Sequence, residues 1–196
     1  MSTVEQNFKF SSENMIVVEQ YIKKYPDSRQ ASAVLPLLDL AQRQNGGWLS
    51  NAAMSHVAEL LEMAEIRVFE VATFYTMFNL EPVGKNLIQL CRTTPCWLRG
   101  ANVIKEVCED TLGIKIGETT DDAMFSLVEV ECLGACVNAP MMQINDDFYE
   151  DLSEESTKNI LLALQRGEKP SNGPQIARQT SAPVSGSKTL IDSENA

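Results

Sequence analysis

The placement of the cysteines constrains the fold of this chain more than any other feature. Four of the five form two short pairs, Cys91-x4-Cys96 and Cys132-x3-Cys136. Each pair begins where a predicted strand runs out into a loop. If the two pairs serve one site, the fold has to bring two strand ends to the same place.

Three kinds of site use cysteine pairs of this sort. Structural disulfides need an oxidising compartment, and nothing in the sequence indicates export. A zinc ion accepts four thiolates, although structural zinc sites mostly use tighter two-residue spacings. A [2Fe–2S] cluster binds two thiolates at each iron, which suits looser loops. The spacing leaves zinc and the cluster equally open, and a Rieske site is excluded because no histidine accompanies the pairs.

The residues within the pairs favour the cluster. Pro95 restricts the preceding Thr94 to extended conformations, so we expect an open loop, and not a helical turn, between Cys91 and Cys96. Gly134 lies within the second pair and would let backbone amides approach sulfur. Such N–H···S bonds are typical of iron–sulfur sites.

The other chemically distinctive side chains receive structural interpretations. Cys108 lies on the apolar side of a predicted helix and is expected to be a small buried hydrophobe. His56, the only histidine, is interpreted as a surface or partly buried helical residue. Trp97 is expected to pack against the protein. The sequence has no nucleotide-binding motif and no nucleophile with a base beside it, so it predicts no self-contained active site.

The first part of the chain, about residues 11–80, is predicted to be a helical bundle. Apolar spacing and capping residues indicate four helices, which begin near Ser11 or Ser12, Ser28, Leu49-Ser50 and Arg67. Pro36 should kink or divide the second. The fourth is expected to continue to Phe78, although its β-branched and aromatic residues would also suit a strand.

The second part, about residues 84–166, alternates between strands and helices. The predicted order is β-α-β-β-α. The strands are expected at 87–91, 125–131 and 141–144, the last with a short return strand at 148–149, and the helices at 97–110 and 153–167. This order predicts an α+β chain whose second domain is thioredoxin-like. The last part, 167–196, has eleven Gly, Pro and Ser among its 30 residues and is predicted to be a disordered tail.

Charge and hydropathy exclude several classes of protein. The formal net charge is −11, and the segment 106–155 has fourteen acidic residues against one base, Lys115. A chain of this charge is not expected to bind nucleic acid. No apolar run approaches the roughly 20 residues of a membrane-spanning helix, so no direct membrane span is expected.

Three motifs carry a family resemblance. These are VFEVATFYTMF within residues 67–78, CRTTPCWLRG at 91–100 and ECLGACVNAP at 131–140. In this order they closely resemble the E-subunit family of NADH–quinone oxidoreductase, respiratory complex I, which contains thioredoxin-like [2Fe–2S] ferredoxins. The resemblance covers about residues 11–166.

The resemblance implies one [2Fe–2S] cluster held by Cys91, Cys96, Cys132 and Cys136. It implies a partner subunit that carries FMN and oxidises NADH, with further iron–sulfur subunits nearby. It also implies a cytoplasmic location, peripheral on the inner face of the plasma membrane through the complex, or on the matrix side of a mitochondrion. The chain would then be an electron-transfer subunit of an enzyme that passes electrons to quinone and pumps protons.

Two other functions remain open at this point. Similar subunits serve NAD-linked hydrogenases and formate dehydrogenases, and the motifs do not separate these from complex I. A zinc-stabilised scaffold without a redox role is the alternative from another class. We further expect the helical part and the VFEVATFYTMF segment to form much of the surface that contacts the flavoprotein.

Overall fold

The computed structural model describes residues 7–186, which divide between Val83 and Gly84 into two compact units. The N-terminal unit is helical, and the C-terminal unit combines helices with a sheet. The helices of the N-terminal unit are α1 (Ser12–Ile22), a 3₁₀-helix (Gln30–Ala33), α2 (Val34–Gln44), α3 (Asn51–Leu60) and α4 (Glu65–Phe74).

Serine side chains begin two of these helices, as the sequence predicts. Ser11 Oγ accepts a hydrogen bond from the Asn14 amide at 3.2 Å, and Ser50 Oγ accepts one from the Ala53 amide at 3.2 Å. Each bond satisfies a donor that the first helical turn leaves without a partner. The helices enclose an apolar core whose fully buried residues include Leu37, Leu38, Val57 and Val68.

Pro36 accounts for the division of the predicted second helix. The segment begins as the 3₁₀-helix Gln30–Ala33 and becomes α-helical only at Val34. Pro36 is the third residue of α2, within the turn whose amides have no helical partner. The ring therefore removes no intrahelical hydrogen bond there.

The fourth helix is shorter at its C-terminal end than predicted. It ends at Phe74, and Tyr75 is extended, with φ −89° and ψ 108°. A turn in which the Phe78 amide donates to the Tyr75 carbonyl at 3.0 Å follows. Phe78 reaches the core through this turn, whereas Phe74 is 76% exposed. The spacing of these two rings therefore wrongly indicated that the helix continues to Phe78.

The C-terminal unit contains the predicted β-α-β-β-α order with three additions, which are a short helix after the first strand, a 3₁₀-helix and a last strand. Its elements are β1 (Asn86–Cys91), α5 (Thr94–Leu98), α6 (Ala101–Leu112), β2 (Phe125–Val130), a 3₁₀-helix (Cys136–Asn138), β3 (Met142–Ile144), β4 (Asp147–Glu150), α7 (Glu154–Gln165) and β5 (Gly173–Pro174). The sheet order is β2-β1-β3-β4-β5, and α6 and α7 pack together over an apolar core that the sheet shares. The α+β class and the predicted order of strands and helices are confirmed.

Strand direction places the cysteines. β1 and β2 are parallel neighbours, with Cys91 opposite Val130, so both strands end at the same edge of the sheet. The chain leaves β1 at Cys91 and reaches Cys132 two residues after β2 ends. Both cysteine pairs therefore emerge side by side.

The predicted disordered tail is wrong over its first part. Gly173 and Pro174 pair in parallel with Tyr149 and Glu150 of β4. The composition of this segment is a poor guide because a new strand joins the edge of a sheet through backbone hydrogen bonds, which need no apolar side chains. Residues 187–196 of the predicted tail lie outside the described residues.

Within residues 7–186, no helix combines the length and apolar character that crossing a bilayer requires.

Candidate metal centre

The first cysteine pair joins the end of a strand to a short helix. Cys91 is the last residue of β1, and Cys96 lies within α5. The expected open loop is therefore wrong. The extended residue is Thr93, with φ −68° and ψ 170°, and the helix begins at Thr94 because Pro95 occupies its first turn, where the missing N–H costs nothing.

The second pair lies on a tight exposed loop. The Sγ atoms of Cys132 and Cys136 are 3.3 Å apart. Gly134 has φ +85°, a conformation that favours glycine, and its amide donates to Cys132 Sγ at 3.4 Å. The sequence-based expectation that this glycine brings an amide to sulfur is confirmed.

The two pairs meet at the end of β1. Cys91 Sγ lies 3.4 Å from the Thr93 hydroxyl, and the thiol of Cys132 interacts with both residues. Cys91 and Cys96 are each 1% exposed, whereas Cys132 and Cys136 are exposed. The site therefore has a buried half and a solvent-facing half.

Apolar groups surround the buried half. Cys91 and Cys96 share a small core with Ala101, Ala139 and Met141. Met141 is 1% exposed. The Ala139–Pro140 peptide, which follows the loop of the second cysteine pair, is cis.

The thiols of the buried pair differ in acidity. Burial raises the pKa of Cys91, but hydrogen bonds with the hydroxyl and amide of Thr93 outweigh it, and the pKa is lowered. Burial, followed by the neighbouring Cys91 thiol, raises the pKa of Cys96 to about 12. Cys96 therefore keeps its proton at neutral pH unless a bound cation displaces it.

The exposed pair shows the same asymmetry. The amide of Gly134, followed by the Cys136 thiol, lowers the pKa of Cys132. The Cys132 thiol in turn raises the pKa of Cys136. Each pair thus holds one thiol whose pKa is lowered and one whose pKa is raised.

The donor set fits a [2Fe–2S] cluster. Two thiolates on one tetrahedral metal stand about 3.8 Å apart if each metal–sulfur bond is about 2.3 Å, and the sulfurs of Cys132 and Cys136 are at 3.3 Å. Among the described residues, no group of three or more His, Cys, Asp or Glu is placed so that it could hold a metal ion. The two cysteine pairs lie on separate loops, so each pair could supply the two thiolates that one iron of such a cluster takes.

Charged residues beside the site neutralise each other. Arg92 donates to Glu129 across the β1–β2 boundary and to Asn102 Oδ1 at 2.8 Å. The sequence places Arg92 and Glu129 near different cysteine pairs, and their partnership follows from strand pairing. The Nε atom of Arg92 is buried and has no hydrogen-bond partner within the described part of the chain.

The fifth cysteine belongs to a different core. Cys108 is fully buried on α6 beside Ile104, within the core that α6 and α7 share with the sheet. Burial, followed by the charge of Glu109, raises the pKa of Cys108 to about 12. The structure places it as the expected buried hydrophobe.

The rim of the site is more apolar and more exposed than the sequence indicated. Trp97 is 55% exposed and Leu98 and Val137 are each 69% exposed. The expectation that Trp97 packs within the chain is wrong, because α5 is only one turn long and directs this ring to solvent. Helical periodicity cannot identify a buried face on so short an element.

Sequence comparisons agree on one group of relatives. The model of the thioredoxin-like [2Fe-2S] ferredoxin family matches residues 18–165. The chain is 60% identical over 165 residues to the E subunit of NADH-quinone oxidoreductase from Rickettsia bellii, a match that covers 84% of this chain and 99% of that protein. It is 52% identical over 185 residues to the mitochondrial NADH dehydrogenase (ubiquinone) flavoprotein 2 of Dictyostelium discoideum, covering 94% of this chain and 75% of that protein.

A solved structure supports the fold alone. A chain of an NAD+-reducing [NiFe]-hydrogenase in the air-oxidized state superimposes with a TM-score of 0.59 at 19% identity. The match covers 66% of the present chain and 23% of that chain.

Proposed function

This chain belongs to the thioredoxin-like [2Fe-2S] ferredoxin family, among the E subunits of NADH-quinone oxidoreductase, and from this premise we propose that it is an electron-transfer subunit carrying one [2Fe–2S] cluster. The observation that carries the proposal is the convergence of two cysteine pairs at the shared end of β1 and β2.

Cys91, Cys96, Cys132 and Cys136 are the proposed ligands. When bound, the cluster supplies one-electron redox chemistry. Cys91 and Cys96 hold its buried side, where apolar neighbours exclude water. Cys132 and Cys136 hold the side that faces solvent, and the Gly134 amide stabilises the negative charge on Cys132 sulfur.

The proposed partner is a flavin-bearing subunit that oxidises NADH. A hydride carries two electrons, and a flavin can pass them on singly, so the two-electron step belongs to a protein with a flavin. This chain has no nicotinamide- or flavin-binding motif of its own. Further iron–sulfur subunits would receive the electrons, and other subunits would hold the assembly on the inner face of the membrane, from where the electrons reach quinone.

Exposed apolar side chains on the N-terminal unit support a partner surface there. They lie along α4 and in the turn that follows it, and comprise Ile66 (64% exposed), Phe74 (76%), Tyr75 (40%), Met77 (52%) and Leu80 (37%). Isolated exposed apolar residues are common, but five within 15 residues of chain indicate an interaction surface. We assign this surface, called here the α4 patch, to the flavin-bearing partner.

Metal and sulfide analysis of the purified full chain tests the proposed function. We expect two irons and two acid-labile sulfides per chain, and an electron paramagnetic resonance (EPR) signal of a single cluster after reduction. Colourless protein that holds zinc and lacks sulfide would overturn the proposal in favour of a structural zinc site.

Co-purification separates the two redox assignments. An equivalent subunit of an NAD-linked hydrogenase or formate dehydrogenase is the second candidate, since the fold likeness to the hydrogenase chain is compatible with it. Recovery with a flavoprotein and quinone-reducing subunits supports the first assignment, and recovery with a hydrogenase or formate dehydrogenase catalytic subunit supports the second.

A further inference from the structure

The chain beyond the family match folds back onto the loop that carries the second cysteine pair. β5 follows α7 and pairs with β4, and the Gln175 amide then donates to the Glu150 carbonyl at 2.9 Å. The match to the family ends at residue 165. The segment 173–182, called here the C-terminal strap, thus lies outside the family match and still contacts the candidate site.

Arg178 is the centre of these contacts. Its guanidinium donates to both carboxylate oxygens of Asp151, with Nε 2.9 Å from Oδ2 and Nη2 2.8 Å from Oδ1. Nη2 also donates to the Val137 carbonyl at 3.0 Å, and Nη1 donates to the Ala182 carbonyl at 3.5 Å. The side chains of Arg178 and Asp151 are 7% and 11% exposed, so solvent screens this forked pair little.

A second set of bonds holds the neighbouring residue. Asn138 Nδ2 donates to Glu150 Oε2 at 3.0 Å and to the Thr180 carbonyl at 3.1 Å. The Asp151 amide donates to the Asn138 carbonyl at 2.7 Å. The two residues that follow Cys136 are therefore fixed both by the end of β4 and by the strap.

Packing alone does not fix this part of the loop. Val137 is 69% exposed, and Cys136 itself is exposed. The hydrogen bond to the Val137 carbonyl therefore restrains the backbone directly after Cys136, where the side chains leave it uncovered. The residue that supplies the charged restraint, Arg178, lies 42 positions from that sulfur in sequence.

Given the function proposed above, we infer that Arg178 is a positioning residue for the cluster ligand Cys136, acting through the Val137 carbonyl. Partners of metal ligands usually change metal affinity about tenfold to a hundredfold when they are removed. A lysine cannot reproduce the effect fully, because its single ammonium lacks the planar fork that engages Asp151 and a carbonyl together.

The test compares three variants of the full chain that carry the cluster. Arg178→Met keeps the length of the side chain and removes the donors. Arg178→Lys restores the charge. Arg166→Met is the matched control, since Arg166 pairs with Glu168 at 2.8 Å on the surface, where the side chains are 58% and 57% exposed.

We expect Arg178→Met to release iron to a chelator about tenfold or more faster than the control, and to alter the EPR g values and the reduction potential. Arg178→Lys should fall between the two and remain folded, which keeps the test usable if Arg178→Met unfolds. If both Arg178 variants match the control in iron release, g values and potential, the inference is wrong, even if their unfolding temperatures fall. Absence of a cluster from the unmodified chain would instead contradict the proposed function.

Discussion

At the scale of single residues, the five cysteines divide into four proposed ligands and one core residue. Four lie where β1 and β2 end, and Cys108 lies in the apolar core that α6 and α7 share with the sheet. The sequence predicts this division from spacing and helical position. It does not predict that the first pair is buried and the second exposed, since that depends on which loops the fold covers.

Cysteine replacement tests the ligand set residue by residue. We expect Cys108→Ala to keep the visible absorbance of the cluster, because Cys108 is not a proposed ligand. The variant should lose some stability, because the substitution removes a buried sulfur from the core. Cys96→Ala and Cys136→Ala should each lose most of that absorbance, because each leaves an iron with one protein ligand fewer. The measurement is absorbance per chain together with iron content.

The three substitutions also check one another. Equal loss of absorbance in Cys108→Ala would show that the fifth cysteine is not merely structural. Full absorbance in Cys136→Ala would remove it from the ligand set.

Among the elements, caps and strand ends followed from local sequence, whereas short or edge elements did not. Ser11, Ser50 and Ser153 begin the helices that they were expected to begin. The one-turn helix α5 was missed because the restriction before Pro95 was placed at Thr94, whereas the extended residue is Thr93. β5 was missed because its residues, Gly and Pro, carry no strand signal and depend on the free edge of β4.

The α4 patch yields a prediction about the partner. Replacing Phe74 and Met77 by serine should reduce recovery of the flavin-bearing subunit. Both side chains are exposed in the isolated chain and would be buried in the complex. Truncating a buried interface anchor weakens binding by about 1–3 kcal/mol, that is, about fivefold to 150-fold. The measurement is the amount of flavoprotein that co-purifies with the full chain.

Ile16→Ser is the matched control for the patch. Ile16 is 61% exposed on α1 of the same unit, outside the patch, so its replacement should leave recovery unchanged. Equal recovery with the double variant and the control would contradict the assignment of the patch.

At the scale of the whole molecule, the acidic segment 106–155 is organised into ion pairs and hydrogen bonds, not only a solvated surface. Glu109 is 8% exposed and lies close to Lys115 (3.1 Å) and Lys105 (3.7 Å). Burial raises the pKa of Glu109, but the hydrogen bond from Lys115, the Ile116 amide and the charge of Lys105 together lower it. The sequence shows the excess of acid, and only the fold shows which carboxylate has partners.

This arrangement predicts a pH-dependent contribution to stability. A carboxyl group whose pKa is lowered by folding stabilises the protein above its ordinary value of 4.5, and loses that contribution as the pH falls through the lower folded value. Glu109→Gln should therefore unfold at a lower urea concentration than the unmodified chain at pH 7, and the difference should shrink below about pH 4.5. Urea unfolding followed by circular dichroism measures it.

Glu106→Gln is the control on the same helix, because Glu106 is exposed. A difference for Glu109→Gln that stays constant from pH 7 to about pH 3, or that equals the control, would contradict the assigned role of the ion pairs.

The unequal depth of the two cysteine pairs has a consequence for oxidative damage. An oxidant arriving from solvent meets Cys132 and Cys136 first, and their sulfurs are near enough to join to each other if their metal is lost. Cys91 and Cys96, sealed behind methionine and alanine side chains, would stay as thiols. Oxidation would then begin on the exposed side, as a disulfide between Cys132 and Cys136 that a thiol reductant can reduce. Cys91 and Cys96 would still be available to bind a new cluster.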